Sequence, residues 1–292
     1  MTALVQEAPK TQPAKTVAGA IRTLLVHVSP DAETAPRLAS AVTLAKKLDA
    51  TLFGLAAEMI PPLGAMDPTG LVEGEWYVEM RGQVQKNLEL ARETFRAAAK
   101  GVKTDFAWIE DMPGPALARA ARAADLVIVG GQPLDHNDRY RNCDAAEAML
   151  LSGRPVLIAP PEGGEFEGKA VVVAWKDSRE SRRALADALP LLARAETVLV
   201  MEVCGKNEAD DADLRTKSVA AGLKRHNIKA EARVMIAPNE RVAAELNTAA
   251  EAIGADLIVA GGYGHTRLGE WIFGGVTRDL LHHPQRFVLL SH

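Results

Sequence analysis

The densest run of residues able to do chemistry lies near the end of the chain: Gly261-Gly262-Tyr263-Gly264-His265-Thr266-Arg267-Leu268-Gly269-Glu270-Trp271-Ile272-Phe273-Gly274-Gly275-Val276-Thr277. It follows a short apolar run, Leu257 to Ala260, of buried-strand character. A glycine-rich turn from strand to helix lets successive backbone N–H groups converge on one anion, and a glycine pair at a helix start adds the field of the helix N-terminus. Phosphate is the natural guest for such a loop. A dinucleotide fingerprint is excluded because Arg267 stands where the third glycine of GxGxxG belongs, and no lysine follows at P-loop spacing. The alternative for the same glycines is structural, tight turns and close helix-to-sheet packing.

Other candidates are weaker. His27 lies inside a strand pattern, where a satisfied core histidine is the expectation, and His282-His283 sits at a helix end, where it suits the helix dipole. Cys143 and Cys204 are the two cysteines, far apart and outside any CxxC or Cys/His spacing, so neither a disulfide framework nor zinc is indicated. Cys204 closes a strand, where a buried small apolar residue is expected. Asp135-His136-Asn137-Asp138 has metal-ligand chemistry but reads as a solvated polar turn, so no metal is assigned. No Ser/His/Asp or Cys/His arrangement supports a catalytic residue.

The elements that position the glycine loop occur twice. Ala124-Asp125-Leu126-Val127-Ile128-Val129-Gly130-Gly131 returns as Ala255-Asp256-Leu257-Ile258-Val259-Ala260-Gly261-Gly262, and Arg154-Pro155-Val156-Leu157-Ile158 is matched by Arg286-Phe287-Val288-Leu289-Leu290. Such spacing is a domain duplication. Short β-branched runs alternate with longer segments of helical period, which argues for crossover units on parallel sheets. In the first half strands are expected at 23–28, 51–56, 103–109, 125–129 and 155–159, and helices at 34–48, 81–100, 115–123 and 144–151. The second half repeats this with strands near 170–175, 197–203, 230–236, 256–260 and 286–290, and helices near 179–193, 211–226, 240–252 and 276–282. The boundaries read as a flexible tail over 1–19, a first domain over 20–160, a linker over 161–168 and a second domain over 169–292. The segment from Met59 to Trp76 is long and apolar for a loop and reads as a lid or an interface patch.

With 34 basic and 38 acidic residues, a net charge of -4 and 48% hydrophobic residues, the chain has a core but no basic footprint for nucleic acid. No segment has the length and apolar character of a membrane span. A reducing cytoplasm is the expected setting.

Gly261-x-x-Gly264, nine residues and then Gly274 resembles the glycine motif of the universal stress protein family, and the doubled pattern resembles its tandem form. The resemblance implies two Rossmann-like α/β domains, each a five-stranded parallel sheet of order 3-2-1-4-5 with helices on both faces. It also implies ATP or a related nucleotide at the loops after strands one and four. Carried onto this chain, the nucleotide site is Trp175, Lys176, Asp177, Gly261, Gly264, Gly274, Gly275 and Thr277. Lys176 stands where the family commonly carries Asp, with Asp177 one residue on. Gly275 replaces the family's Ser or Thr, leaving Thr277 as the nearest hydroxyl. The first half has Ser29-Pro30-Asp31 and Gly130-Gly131-Gln132-Pro133 at the matching places, a degenerate loop whose proline has no N–H to offer. The expectation is a stress-response binding or regulatory protein with one weak nucleotide site in its C-terminal half. Its halves are expected to pair as an intramolecular pseudo-dimer, with a homodimer as a further arrangement. The alternatives are an enzyme that hydrolyses ATP or transfers its phosphate, and a binding module for another small ligand.

Overall fold

The structure, a computed structural model, describes residues 20–62, 71–131, 138–262, 280 and 284–292. The first half runs β1 (Thr23–His27), α1 (Thr34–Leu48), β2 (Thr51–Ala57), α2 (Leu71–Ala98), β3 (Thr104–Ile109), α3 (Pro113–Ala120), β4 (Leu126–Gly130), α4 (Ala145–Ser152) and β5 (Val156–Ala159). The second runs β6 (Ala170–Ala174), α5 (Arg179–Leu192), β7 (Thr197–Cys204), α6 (Ala209–Lys224), β8 (Ala230–Ile236), α7 (Val242–Ala252), β9 (Leu257–Gly261) and β10 (Phe287–Ser291). The expected helix over 276–282 lies outside the described residues except for Leu280.

All ten strands form one sheet, in the order β3-β2-β1-β4-β5-β10-β9-β6-β7-β8. Within each half the strands are parallel, as βαβ crossovers require. Each half keeps the expected order 3-2-1-4-5, and the two five-stranded sheets are joined where β5 and β10 pair antiparallel, with Leu157 opposite Leu289 and Ile158 opposite Val288. Each would otherwise be an exposed apolar edge, and the pairing removes both. Strands buried on both faces read as continuous apolar runs, and these do: Val156, Leu157, Ile158, Val288, Leu289 and Leu290 are each at most 1% exposed. The core on either face runs across the seam. One face gathers Leu24, Leu157, Leu289 and Val171 under α1, α2, α5 and α6; the other gathers Leu25, Ile158, Val288 and Val172 under α3, α4 and α7.

The repeated residues hold matching positions. Asp125 accepts from the N–H groups of Arg22 and Thr23 at 2.8 and 2.9 Å, and Asp256 does the same for Glu167 and Gly168 at 2.6 and 3.0 Å. Each carboxylate thereby satisfies backbone donors at or just before the first strand of its half. Arg154 donates to the Ala121 carbonyl and Arg286 to that of Ala255, at 3.2 and 2.9 Å. The repeat is thus strongest where it closes the fold.

Two expectations change. Helix α2 starts at Leu71 rather than 81, because Tyr77 and Met80 extend the stripe of Val84, Leu88, Ala91 and Phe95 at spacings of three and four. The expected loop from Met59 to Trp76 therefore gives way to helix six residues early, and its residues 63–70 lie outside the described residues. The connection between the halves is also packed rather than loose. Phe166 is 3% exposed and meets Phe287 edge-on at 5.2 Å, Ser40 Oγ donates to the Gly164 carbonyl at 2.8 Å, and Lys47 Nζ donates to the Phe166 carbonyl at 2.6 Å. No helix among the described residues is long and apolar enough to cross a membrane.

Candidate functional site

In open parallel sheets the crevice for a ligand opens beyond the carboxyl ends of two adjacent strands whose connections run to opposite sides. In the second half those strands are β6 and β9, neighbours in the sheet with Ala174 opposite Ala260. The next residues along, Trp175 and Gly261, therefore stand together, and the loops they begin are the two that carry the expected site. Trp175 is fixed by its N–H donating to the Met201 carbonyl at 2.8 Å and is 8% exposed, with an indole Nε1 that finds no partner among the described residues. Lys176 and Asp177 are exposed, and Asp177 pairs with Arg182 on the first turn of α5. Ser178 caps that helix, its Oγ accepting from Ser181 N–H at 3.2 Å.

Gly261 is where the sheet comes closest to α5. A methyl there would lie 2.5 Å from Ser181 N and 2.7 Å from the Glu180 carbonyl carbon, both backbone atoms that cannot swing aside. The glycine lets the helix N-terminus lie directly on the strand end, which directs its N–H groups and dipole toward the crevice. Gly261→Ala should lower stability by about 1–3 kcal/mol through this overlap. Gly222→Ala in α6, where an added methyl meets nothing within 4 Å, should be neutral or stabilise by up to about 1 kcal/mol. Urea unfolding of the two variants makes the comparison. Gly264, Gly274, Gly275 and Thr277 lie outside the described residues.

The flanking polar groups on this side are internally matched. Glu202 accepts from Arg215 through both oxygens, at 3.1 and 2.6 Å. Burial pushes the Cys204 thiol up, away from a reactive thiolate. Among the described residues no group of three or more His, Cys, Asp or Glu side chains is placed to hold a metal, and Asp135-His136-Asn137 lie outside them.

The matching crevice of the first half, between β1 and β4, is filled by the protein itself. Arg37 of α1 is 3% exposed and turns its guanidinium to the strand ends, so that a methyl at Gly130, the counterpart of Gly261, would come within 2.6 Å of its NH1. Its Nε donates to the His27 carbonyl at 3.1 Å and its NH2 to Ser29 Oγ at 3.2 Å and Thr34 Oγ1 at 2.8 Å, with Asp31 at 3.6 Å. Burial works against ionising Asp31, but Arg37 and the hydroxyls of Ser29 and Thr34 outweigh it and hold the carboxyl below its usual range. His27 beneath this cluster is buried and has an Nε2 without a partner among the described residues, so the satisfied core histidine expected from the sequence is corrected there; burial and then Arg37 push its pKa down to about 3. Beyond β2, Glu58 is 5% exposed, bonded by Asn87 at 2.9 Å, with burial pushing its carboxyl up. Arg37 and Glu58 did not figure in the sequence reading. The signal for Arg37 was a charged residue at four- and seven-residue spacing from the buried Ala41 and Leu44 of α1.

The universal stress protein family model matches residues 168–292. This half of the chain belongs to that family. A universal stress protein from Archaeoglobus fulgidus DSM 4304 is similar over 92% of this chain and 97% of its own, at 16% identity and a TM-score of 0.65. A functionally unknown protein from Pseudomonas aeruginosa PAO1 is similar over 94% of this chain and 93% of its own, at 17% identity and a TM-score of 0.56. At such identities the likeness is one of fold, and it extends over both halves. No curated protein matches the chain. The half matched by the family model thus contains the β6–β9 crevice, and the half outside the match contains the one filled by Arg37.

Proposed function

We propose that this chain is a stress-response binding protein that takes ATP or a related nucleotide at one place, the β6–β9 crevice of its universal stress protein half. The observation that carries this reading is the contact of Gly261 with the first turn of α5 beside Trp175, which joins a helix N-terminus to a glycine-rich loop at a sheet crossover. Trp175 forms the crevice wall, Lys176 offers a cation to phosphate, and Asp177 would have to leave Arg182 to reach a ribose hydroxyl. Gly264, Gly274, Gly275 and Thr277 complete the phosphate side in this reading. The Arg37 cluster supports a single site per chain, because a guanidinium already occupies the opposite crevice. Residues 20–160 and 169–292 then act as two domains in a pseudo-dimer, one binding and one supporting it. A binding rather than an enzymatic role is favoured because, among the described residues, no general base or metal-holding carboxylates accompany the anion-binding elements.

Calorimetric titration of ATP into the intact chain should give one site, and Gly264→Val should remove it by blocking close approach of the backbone to phosphate. Two equivalent sites, or heat unchanged in Gly264→Val, would overturn the reading.

A further inference from the structure

Two surfaces of the chain are complementary in charge, and each has apolar side chains that are at least partly exposed. The first is the leading end of α2. Tyr77 and Met80 continue the buried stripe of this helix, yet Tyr77 is 48% exposed, Val78 beside it is 72% exposed, and Glu75 and Glu79 are exposed on the adjoining face. Arg81 and Gln85 approach Glu110, just past the end of β3, at 3.6 and 3.4 Å. The ten residues before Arg81 in this helix span about 15 Å. A helical end this long gains most of its stability from packing, and Gly74 and Gly82, both facing open space, weaken it further.

The second surface is a groove of about 320 Å³ between α5 and α6. Leu185, Leu189 and Val219 form its floor and Arg182, Arg225 and His226 its rim. Arg182 shares its charge with Asp177, so Arg225 and His226 are the rim groups that remain for an acidic guest.

We infer that the leading end of α2 docks in the α5–α6 groove of a second copy of this chain. Trp76, Tyr77 and Met80 supply an apolar helical stripe for the apolar floor, and Glu75 and Glu79 meet the basic rim, which is the helix-in-groove mode of recognition. Tip and groove belong to the same chain, so a two-fold axis lets two molecules dock reciprocally and closes the assembly as a dimer. This surface is separate from the β5–β10 seam, which is internal, and from the β6–β9 crevice. The inference is therefore independent of the nucleotide reading.

Sedimentation velocity of the full chain across the micromolar range tests it. The expected result is a monomer–dimer equilibrium weakened by salt. Arg225→Glu or Glu79→Arg alone should weaken it by about tenfold, and an equimolar mixture of the two should recover most of the loss, because each tip then meets a groove of opposite charge. Trp76→Ala should weaken it by about tenfold or more. Circular dichroism melts establish that these variants fold. A chain that stays monomeric, because the tip serves another protein or none, overturns the inference. So does a dimer indifferent to the charge reversals, or one that mixing does not rescue.

Discussion

Arg37→Met should destabilise the chain by about 2–4 kcal/mol while leaving unchanged the ATP affinity proposed for the β6–β9 crevice. The guanidinium is the common partner of the His27 carbonyl, the Ser29 and Thr34 hydroxyls and the Asp31 carboxylate. Methionine fills much of the same volume and supplies none of the donors, so a carboxylate and two hydroxyls lose their partner together. The loss falls short of that for a fully buried pair because the Asp31 side chain is 26% exposed and water can take part of its charge. Urea unfolding measures the first quantity and calorimetric titration the second. If ATP binding falls in step with stability, the two crevices are coupled across the seam and the first is more than a filled relic.

Between pH 6.5 and about 3 the chain should lose up to about 1.4 kcal/mol of stability per pH unit through His27 alone, or about 4–5 kcal/mol across the window. Well above pH 6.5 the imidazole is neutral whether the chain is folded or not. As the pH falls, the unfolded chain takes up a proton that the folded chain refuses until about pH 3, so protonation favours unfolding. Asp31 adds to the same trend, since a carboxyl held below its usual range by Arg37 contributes stability that disappears on protonation. Glu58 works the other way: its raised carboxyl takes a proton more readily in the folded chain, so its contribution declines as pH rises. His27→Leu should flatten the acid limb of the stability curve, measured by urea unfolding at stepped pH. An acid limb as steep as that of the parent chain would show that carboxylates carry the dependence instead.

Much of this molecule was legible before folding. The β-branched runs predicted strands because parallel strands covered on both faces need apolar side chains at every position, as in Val171-Val172-Val173. The Ala-Asp-Leu repeat marked equivalent strands, and each aspartate accepts from a pair of backbone N–H groups near the start of its half. The glycine loop pointed to the β9 strand end because a close approach of backbone to backbone, here Gly261 on Ser181, tolerates no Cβ. These are local constraints, written in consecutive residues.

Tertiary structure decided the rest, and in each case through contacts distant along the chain. The seam joins Ile158 to Val288, and nothing in either strand specifies whether its apolar edge pairs within one chain or between two. Phe166 looked like part of a connection until Phe287 came to lie against it. Arg37 looked like one more charge on an amphipathic helix, since helical spacing places a side chain on a face but does not say which strand end that face will reach. Only the packing of α1 over β1 and β4 brings its guanidinium to Gly130 and closes one crevice, while the glycine at the same place in the other half admits the end of a helix.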